Sequence, residues 1–134
     1  MILVDSNVII DVLGNDPQWA DWSIQQLRQQ SRVHELLVNP IVYSELSLNF
    51  NNVDQLDKVI ADLQLVFVEM PRMALFLAAH AFAAYRQHGG AKLNVLPDFF
   101  IGAHAIAAGC ALLTRDTQRY RTYFPRVPLI APQQ

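Results

Sequence analysis

The sequence predicts an α/β domain with a mainly parallel central sheet of four to five strands and helices on both faces. Short aliphatic runs alternate with helical segments along the chain. Strands joined through helices are the arrangement that a parallel sheet requires, with helices covering its faces. The chain has 134 residues, of which 52% are hydrophobic, and this is enough for one substantial core. We therefore expect a single domain over residues 1–134.

Each element has its own signal in the sequence. Apolar runs predict strands at 2–5, 35–38, 65–69, 111–114 and 127–130. The segments between them predict helices at 7–13, 18–31, 40–50, 54–63, 72–88, 97–109 and 117–124. Asn39-Pro40 puts proline at a first helical position, and Gly89-Gly90 ends the Ala-rich fifth helix. Ligands of such sheets bind at the carboxyl ends of the strands, so the residues that follow strands are the first functional candidates.

Charge is unevenly distributed along the chain. The net charge of -2 argues against a generally basic nucleic-acid binder. Residues 1–69, however, carry three basic and ten acidic side chains, whereas residues 70–134 carry seven basic and two acidic ones. Arginine suits phosphate because its planar fork donates two parallel hydrogen bonds, although a solvated basic helix face is the alternative. Four arginines follow residue 114, namely Arg115, Arg119, Arg121 and Arg126.

The sequence carries no signal for a membrane or for a secretory route. No apolar stretch approaches the roughly 20 residues that cross a bilayer, and the N-terminus lacks a charged region followed by an apolar signal core. We expect a cytoplasmic protein without membrane contact. Its single cysteine, Cys110, lies in an apolar stretch and is expected to be a small buried side chain.

Four acidic residues lie at positions that suggest a shared site. Asp5 in ILVDSNVII and Asp116 in LLTRD each follow a predicted strand. Asp98 begins an almost wholly apolar helix, and Glu45 falls within the apolar sector of the helix that starts at Pro40. Each residue also has an ordinary explanation on its own. These are helix capping for Asp5 and Asp116, the helix dipole for Asp98 and contact with water for Glu45.

Taken together, the four carboxylates favour a metal site. They would meet at one end of the sheet, where like charges repel and raise one another's pKa unless a cation neutralises them. Carboxylate oxygens suit Mg²⁺ or Mn²⁺, and the absence of a close Cys/His pair argues against zinc. The histidines show no ligand spacing and are interpreted as packing or surface residues, at His34, His80, His88 and His104.

The ordered set ILVDSNVII, SEL, LPDFFIGAHAIAAG and LLTRD resembles the PIN-domain ribonucleases, especially the VapC-type toxins of bacterial toxin–antitoxin pairs. The resemblance covers about residues 2–124 and implies a three-layer, PIN-like fold. It implies catalytic roles for Asp5, Glu45, Asp98 and Asp116 and metal binding by Asp5, Asp98 and Asp116. It also implies supporting positions near the metal for Ser6, Asn7 and Thr114.

The resemblance implies a metal-dependent endoribonuclease that hydrolyses RNA phosphodiester bonds with Mg²⁺ or Mn²⁺. It implies a cognate VapB-type antitoxin as partner and a homodimer. Apolar helix candidates with Trp19, Trp22 and Phe50 are candidate dimer surfaces, and burial of these aromatic side chains in the core is the alternative. A basic residue often lies where this chain has Arg86, although surface packing explains that residue equally well. With the arginines of the second half, the candidate RNA contacts are Arg86, Arg115, Arg119 and Arg121.

Proteins of other classes also place acids at strand ends. A phosphatase of the haloacid dehalogenase type expects Asp-x-Asp after its first strand, whereas here the second position beyond Asp5 is Asn7. A receiver domain expects adjacent acids and a late lysine, and neither is present. Two alternatives stay open: a housekeeping PIN nuclease without an antitoxin, and a non-catalytic PIN-like module that binds RNA or protein.

Overall fold

A computed structural model of the chain describes residues 1–133 and confirms the predicted α/β fold. Its strands are β1 (Ile2–Val4), β2 (Leu36–Val38), β3 (Leu65–Phe67), β4 (Ala111–Leu113) and β5 (Leu129–Ile130). All neighbouring strands pair in parallel, in the order β3-β2-β1-β4-β5. β1 is therefore the central strand, with β2 and β4 on either side of it.

Seven helices connect and flank these strands. They are α1 (Ser6–Leu13), α2 (Ala20–Ser31), α3 (Pro40–Ser47), α4 (Val53–Asp62), α5 (Arg72–Gln87), α6 (Leu96–Ala108) and α7 (Gln118–Tyr123). Every predicted helix and strand is present, with ends that differ by a few residues. β1 ends at Val4 and α1 begins at Ser6, so Asp5 lies between them. Asp5 is therefore the first residue after the aliphatic strand β1.

The central strands of the sheet are buried, and the strand register determines which residues follow the strands at its carboxyl edge. The residues of β1 and β2 are all buried, as expected for central strands covered on both faces. Val4 of β1 pairs with Leu113 of β4, and the Asp5 N–H donates to the Leu113 carbonyl at 2.9 Å. Asp5 and Thr114 therefore leave adjacent strands side by side at the carboxyl edge of the sheet.

Helix α6 is the most apolar helix, and it is packed tightly. A side chain on Gly102 would bring its Cβ within 2.4 Å of the Phe124 ring, so only glycine fits here without a shift. The helix ends at Gly109, whose φ of 66° lies in the left-handed region that glycine adopts readily. This packing fixes the start of α6, where Asp98 lies, against α7.

Two expectations about single residues are met in the core. Cys110 is a buried free thiol. His104 is buried on α6, and its Nδ1 lies 3.2 Å from the Asn39 Nδ2 atom, which is also buried. Asn39 caps α3 as well, since its side chain accepts a hydrogen bond from the Val42 N–H at 2.8 Å. Within residues 1–133, no helix is long and apolar enough to cross a membrane.

Candidate active site

Asp5 lies at the N-cap position of α1 but does not cap that helix. Its carboxylate makes no hydrogen bond to the first backbone N–H groups of α1. Instead, the Oδ2 atom accepts hydrogen bonds from the Thr114 hydroxyl and the Tyr120 hydroxyl, both at 2.9 Å. Only 4% of the Asp5 surface is exposed. The strand exit therefore presents a buried carboxylate that is held by neutral donors.

The surroundings of Asp5 oppose its negative charge. The pKa of the carboxyl group is raised from 3.8 to about 7, mainly by burial and next by the charge of Asp98. Hydrogen bonds from Tyr120 and Thr114 act in the opposite direction, and Glu45 adds a weaker repulsion. Asp5 would gain more than an ordinary surface aspartate from a nearby cation, because a cation would offset both the burial and the repulsion.

Asp98 lies in the first turn of α6, and its negative charge repels that of Asp5. Its Oδ2 atom accepts a short hydrogen bond from Nη1 of Arg119 on α7. Burial raises the pKa of Asp98, Arg119 lowers it, and the charge of Asp116 raises it again. The net direction is upward. The ion pair with Arg119 therefore only partly relieves the crowding of negative charge.

Glu45 reaches the same edge from α3. It is half-buried, and its Oε1 atom accepts a hydrogen bond from the Ser6 hydroxyl at 3.0 Å. Burial is the main reason that its pKa is raised, and the charge of Asp98 contributes to the increase. The hydrogen-bond partner of this glutamate is thus a hydroxyl at the start of α1, not an arginine or a lysine.

Asp116 completes the group from the loop between β4 and α7. It is exposed, and its backbone N–H donates to the Thr114 hydroxyl oxygen at 3.1 Å. Its carboxylate accepts no hydrogen bond from any group in residues 1–133. The charge of Asp116 contributes to the raised pKa of Asp98, so Asp116 adds to the negative charge at this edge.

Asn7 and Thr114 connect the two strand exits. The Asn7 amide donates to the Thr114 hydroxyl oxygen at 3.3 Å and to Asp5 Oδ2 at 3.5 Å. The Arg115 backbone N–H donates to the Asn7 amide oxygen at 3.4 Å. With the bond from Ser6 to Glu45, all three residues expected in supporting positions contact an acidic residue of the site.

Two features of the site lie outside the sequence-based prediction. Tyr120 on α7 is buried and donates to Asp5, and burial beside Asp5 and Asp98 raises its pKa well above 10, so its hydroxyl stays protonated. Asp11 at the other end of α1 accepts hydrogen bonds from Arg115 and from Ser23. A tyrosine one turn after Asp116 is the only sequence signal that could have indicated the first feature.

The four candidate RNA-binding arginines differ in their surroundings. Arg119 is bound to Asp98. The Arg115 side chain donates to Asp11 at 2.7 Å and lies 5.7 Å from the centre of the Trp19 ring, so it is already engaged within the fold. Arg86 on α5 and Arg121 on α7 are exposed and form no ion pair within the described part of the chain.

Comparison with known families agrees with this geometry. The family model described as the PIN domain matches residues 2–125. The chain belongs to the PIN domain family. The match extends from β1 to α7 and so includes all four acidic residues and their hydrogen-bond partners. Among curated protein sequences, none matches this PIN domain.

Solved structures share the PIN fold along the whole chain. VapBC2 from Rickettsia felis, bound to a DNA fragment from its promoter, has a TM-score of 0.76 and 19% identity over 99% of this chain and 100% of that one. VapBC-1 from nontypeable Haemophilus influenzae has a TM-score of 0.72 and 18% identity over 98% of each chain. A toxin–antitoxin complex from Klebsiella pneumoniae has a TM-score of 0.69 and 19% identity over 100% and 99%. At these identities, the similarity establishes the fold.

The donors at this edge fit the divalent metal that PIN nucleases generally use. All four acidic side chains offer hard oxygen atoms. Burial, with a contribution from neighbouring carboxylates, raises the pKa values of Asp5, Glu45 and Asp98. In residues 1–133, no three Asp, Glu, His or Cys side chains stand close enough together to form a ready-made cation cage. Mg²⁺ usually binds through one or two carboxylates and retained water, so it does not require such a cage.

Proposed function

We propose that this chain is a single PIN domain that acts as a metal-dependent endoribonuclease and as the toxin of a VapC-type toxin–antitoxin pair. The observation that carries the proposal is the group of four carboxylates at the carboxyl edge of the sheet. Three of them have raised pKa values because burial and mutual repulsion oppose their charge. Such crowding costs stability, and a cation-dependent reaction gives a reason for it.

The acidic residues divide into two proposed roles. Asp5, Asp98 and Asp116 would hold Mg²⁺ or Mn²⁺ directly or through water, and Glu45 would bind the ion or orient the attacking water. When bound, a divalent ion of this kind lowers the pKa of water and stabilises negative charge on a phosphate. Thr114 and Tyr120 fix the direction of the Asp5 carboxylate, since both donate to its Oδ2 atom.

Arg119 is the proposed link between the acidic site and the RNA backbone. Its Nη1 atom binds Asp98, while guanidinium has five N–H donors in all. The remaining donors can contact a phosphate that approaches the carboxylates. The same group would thereby reduce the repulsion between the acidic site and its polyanionic substrate.

The proposed toxin role is supported by the similar structures. VapBC2, VapBC-1 and the Klebsiella complex share the fold over nearly all of this chain. The Klebsiella structure is a complex of a toxin with its antitoxin. We infer that this chain also has an antitoxin partner and forms a homodimer. Exposed apolar side chains on α5, at Met73, Leu75 and Phe76, offer surface for such contacts.

The first test is cleavage of a mixed pool of transfer and ribosomal RNA by the purified protein with Mg²⁺, with Mn²⁺ and with chelator. Asp98→Asn removes a carboxylate of the site, and Asp54→Asn on the exposed start of α4 is the matched control. We expect cuts at a few defined sites with metal, for the parent and the control only. Cleavage that persists in chelator or in Asp98→Asn would refute the assignment.

The partner is tested separately. Co-expression with the product of a small gene adjacent to this one is expected to give a stable complex that does not cleave RNA, and sedimentation of the chain alone is expected to give a dimer. Metal-dependent cleavage without any such neighbour would favour the housekeeping PIN nuclease. A folded protein that binds RNA equally well with and without metal and never cleaves it would favour the non-catalytic module.

A further inference from the structure

A polar cleft opens directly beside the acidic residues, between α5, α7 and the loop that precedes α6. Its volume is about 410 Å³, within the usual range for small-ligand pockets. Asp116 and Arg119 belong both to this cleft and to the acidic site. The rest of the wall includes Tyr85, Lys92, Gln118 and Tyr123. A molecule in the cleft would therefore lie next to whatever the carboxylates act on.

The wall of the cleft combines aromatic rings with cations. Tyr85 and Tyr123 are both half-buried, and their ring centres lie 5.8 Å apart at an interplanar angle of 80°. Lys92 and Arg119 supply positive charge against the single carboxylate of Asp116. Aromatic faces stack on nucleobases, while lysine and arginine bind phosphates, so this combination is the one that single-stranded nucleic acid requires.

The aromatic wall is held in place by its own neighbours. The Lys92 backbone N–H donates to the Tyr85 hydroxyl oxygen at 3.1 Å. A Cβ on Gly90 would lie 2.4 Å from the Tyr85 ring, so the loop runs directly against that ring. Tyr123 packs on Phe99, with ring centres 5.3 Å apart. The rings are thus positioned before any ligand arrives, which reduces the entropy lost on binding.

We propose that this cleft binds one nucleobase of single-stranded RNA, at a nucleotide that flanks the phosphate held at the acidic site. The inference rests on the proposed ribonuclease function and deepens it by naming a residue set that selects the cleavage position. Gln118 can donate to and accept from a base edge, as sequence readout requires. A larger apolar groove between Tyr43 and Phe67 lacks any basic residue in its wall, so it does not offer the same chemistry.

Binding without cleavage provides the sharpest test. A fluorescent oligoribonucleotide that contains a mapped cleavage site, or a single-stranded oligoribonucleotide of mixed sequence if none is cut, is titrated in chelator. It is compared with a series in which one nucleotide at a time is abasic. We expect one position at which loss of the base weakens binding about tenfold. In Tyr123→Leu, the intact strand is expected to bind as weakly as that abasic strand, while Tyr43→Leu on α3 keeps the difference.

Two exposed residues make the test independent of the packing of Tyr123. Gln118→Ala is expected to reduce the preference for the base at that one position, and Lys92→Ala to weaken intact and abasic strands equally. Tyr123→Leu and Gln118→Ala variants that discriminate intact from abasic strands as well as the parent does would overturn the cleft assignment, even if metal-dependent cleavage is observed. Base-dependent binding that is lost in Tyr123→Leu and Gln118→Ala would support the cleft even if no cleavage occurs. Failure of the cleft and failure of the nuclease are therefore separable.

Discussion

Asp5 and Asp11 lie at opposite ends of helix α1, and both are buried, with 4% and 2% of their surface exposed. Asp11 accepts a hydrogen bond from the Arg115 guanidinium at 2.7 Å and another from the Ser23 hydroxyl at 3.0 Å. Within residues 1–133, Asp5 accepts hydrogen bonds only from neutral groups, and the charges of Asp98 and Glu45 repel its own. The same residue type on one helix is thus neutralised at one end and left with uncompensated charge at the other.

We interpret this difference as one between a structural aspartate, Asp11, and the proposed functional aspartate, Asp5. Burial of a carboxylate is costly unless a positive group is near, and the fold supplies such a group for Asp11. For Asp5 the fold supplies hydroxyl donors that orient the carboxylate without neutralising it. A cation from solution can neutralise Asp5, whereas Asp11 needs none because Arg115 already neutralises it. Substitutions at the two ends of α1 should therefore have opposite consequences for stability and activity.

Replacement of Asp5 by asparagine is expected to have the largest effect on activity. Loss of the negative oxygen proposed to bind the metal should reduce cleavage by at least about 100-fold. The folded state should survive, because the amide oxygen can still accept from Thr114 and Tyr120. Cleavage rates and thermal unfolding of Asp5→Asn are measured beside Asp54→Asn. Parental cleavage rates in a folded Asp5→Asn protein would remove Asp5 from the catalytic set.

The same substitution should change how stability depends on pH. In the folded chain, the pKa of Asp5 is about 7, against 3.8 for an unperturbed carboxyl group, so the folded state keeps a proton that the unfolded state releases. This difference in proton binding makes the free energy of unfolding fall as pH rises from about 4 to 7, by up to roughly 4 kcal/mol. In metal-free buffer, Asp5→Asn should lack this decrease and gain stability relative to the parent toward pH 7.

Denaturant unfolding of the parent, Asp5→Asn and Asp54→Asn at several pH values measures this effect. The parent and Asp54→Asn are expected to share one slope because Asp54 is exposed. If Asp5→Asn follows the parent at every pH, Asp5 is not the group whose proton uptake couples to folding. That result would also weaken the contrast with Asp11, since the charge at Asp5 would then carry no cost.

At the other end of α1, Asp11→Ala should destabilise the fold by about 2 kcal/mol. The substitution leaves Arg115 without its buried partner. The loss falls below that of a fully buried pair, because 31% of the Arg115 side chain is exposed and water can solvate it. Thermal or urea unfolding is compared with Asp21→Ala on the exposed side of α2. A loss within 0.5 kcal/mol of that control would contradict the structural role of Asp11.

The sequence was sufficient to predict the order of elements and the positions of all four acids. Strand exits and helix starts can be located from aliphatic runs, prolines and glycines, so Asp5, Asp98 and Asp116 could be placed at one edge of the sheet. The partner of each acid could not be predicted in the same way. Whether Arg119 binds Asp98 and Arg115 binds Asp11 depends on where the short helix α7 and its preceding loop pack, and no periodic pattern encodes that packing.

The contrast between a neutralised and a free charge also applies to Arg119 and Arg121, which lie two residues apart on α7. Arg121 is exposed and lacks an ion-pair partner in the described residues, whereas Arg119 is bound to Asp98. Arg121→Ala should weaken RNA binding a few-fold and reduce the slope of log affinity against log salt by about 0.7, the value for one contact to a single strand. Arg119→Ala should reduce that slope and also impair cleavage, because Asp98 loses its counter-ion. Fluorescence titrations at several salt concentrations distinguish the two. An unchanged slope in Arg121→Ala would assign that residue to the solvated helix face and leave phosphate binding to the arginine that already lies in the acidic site.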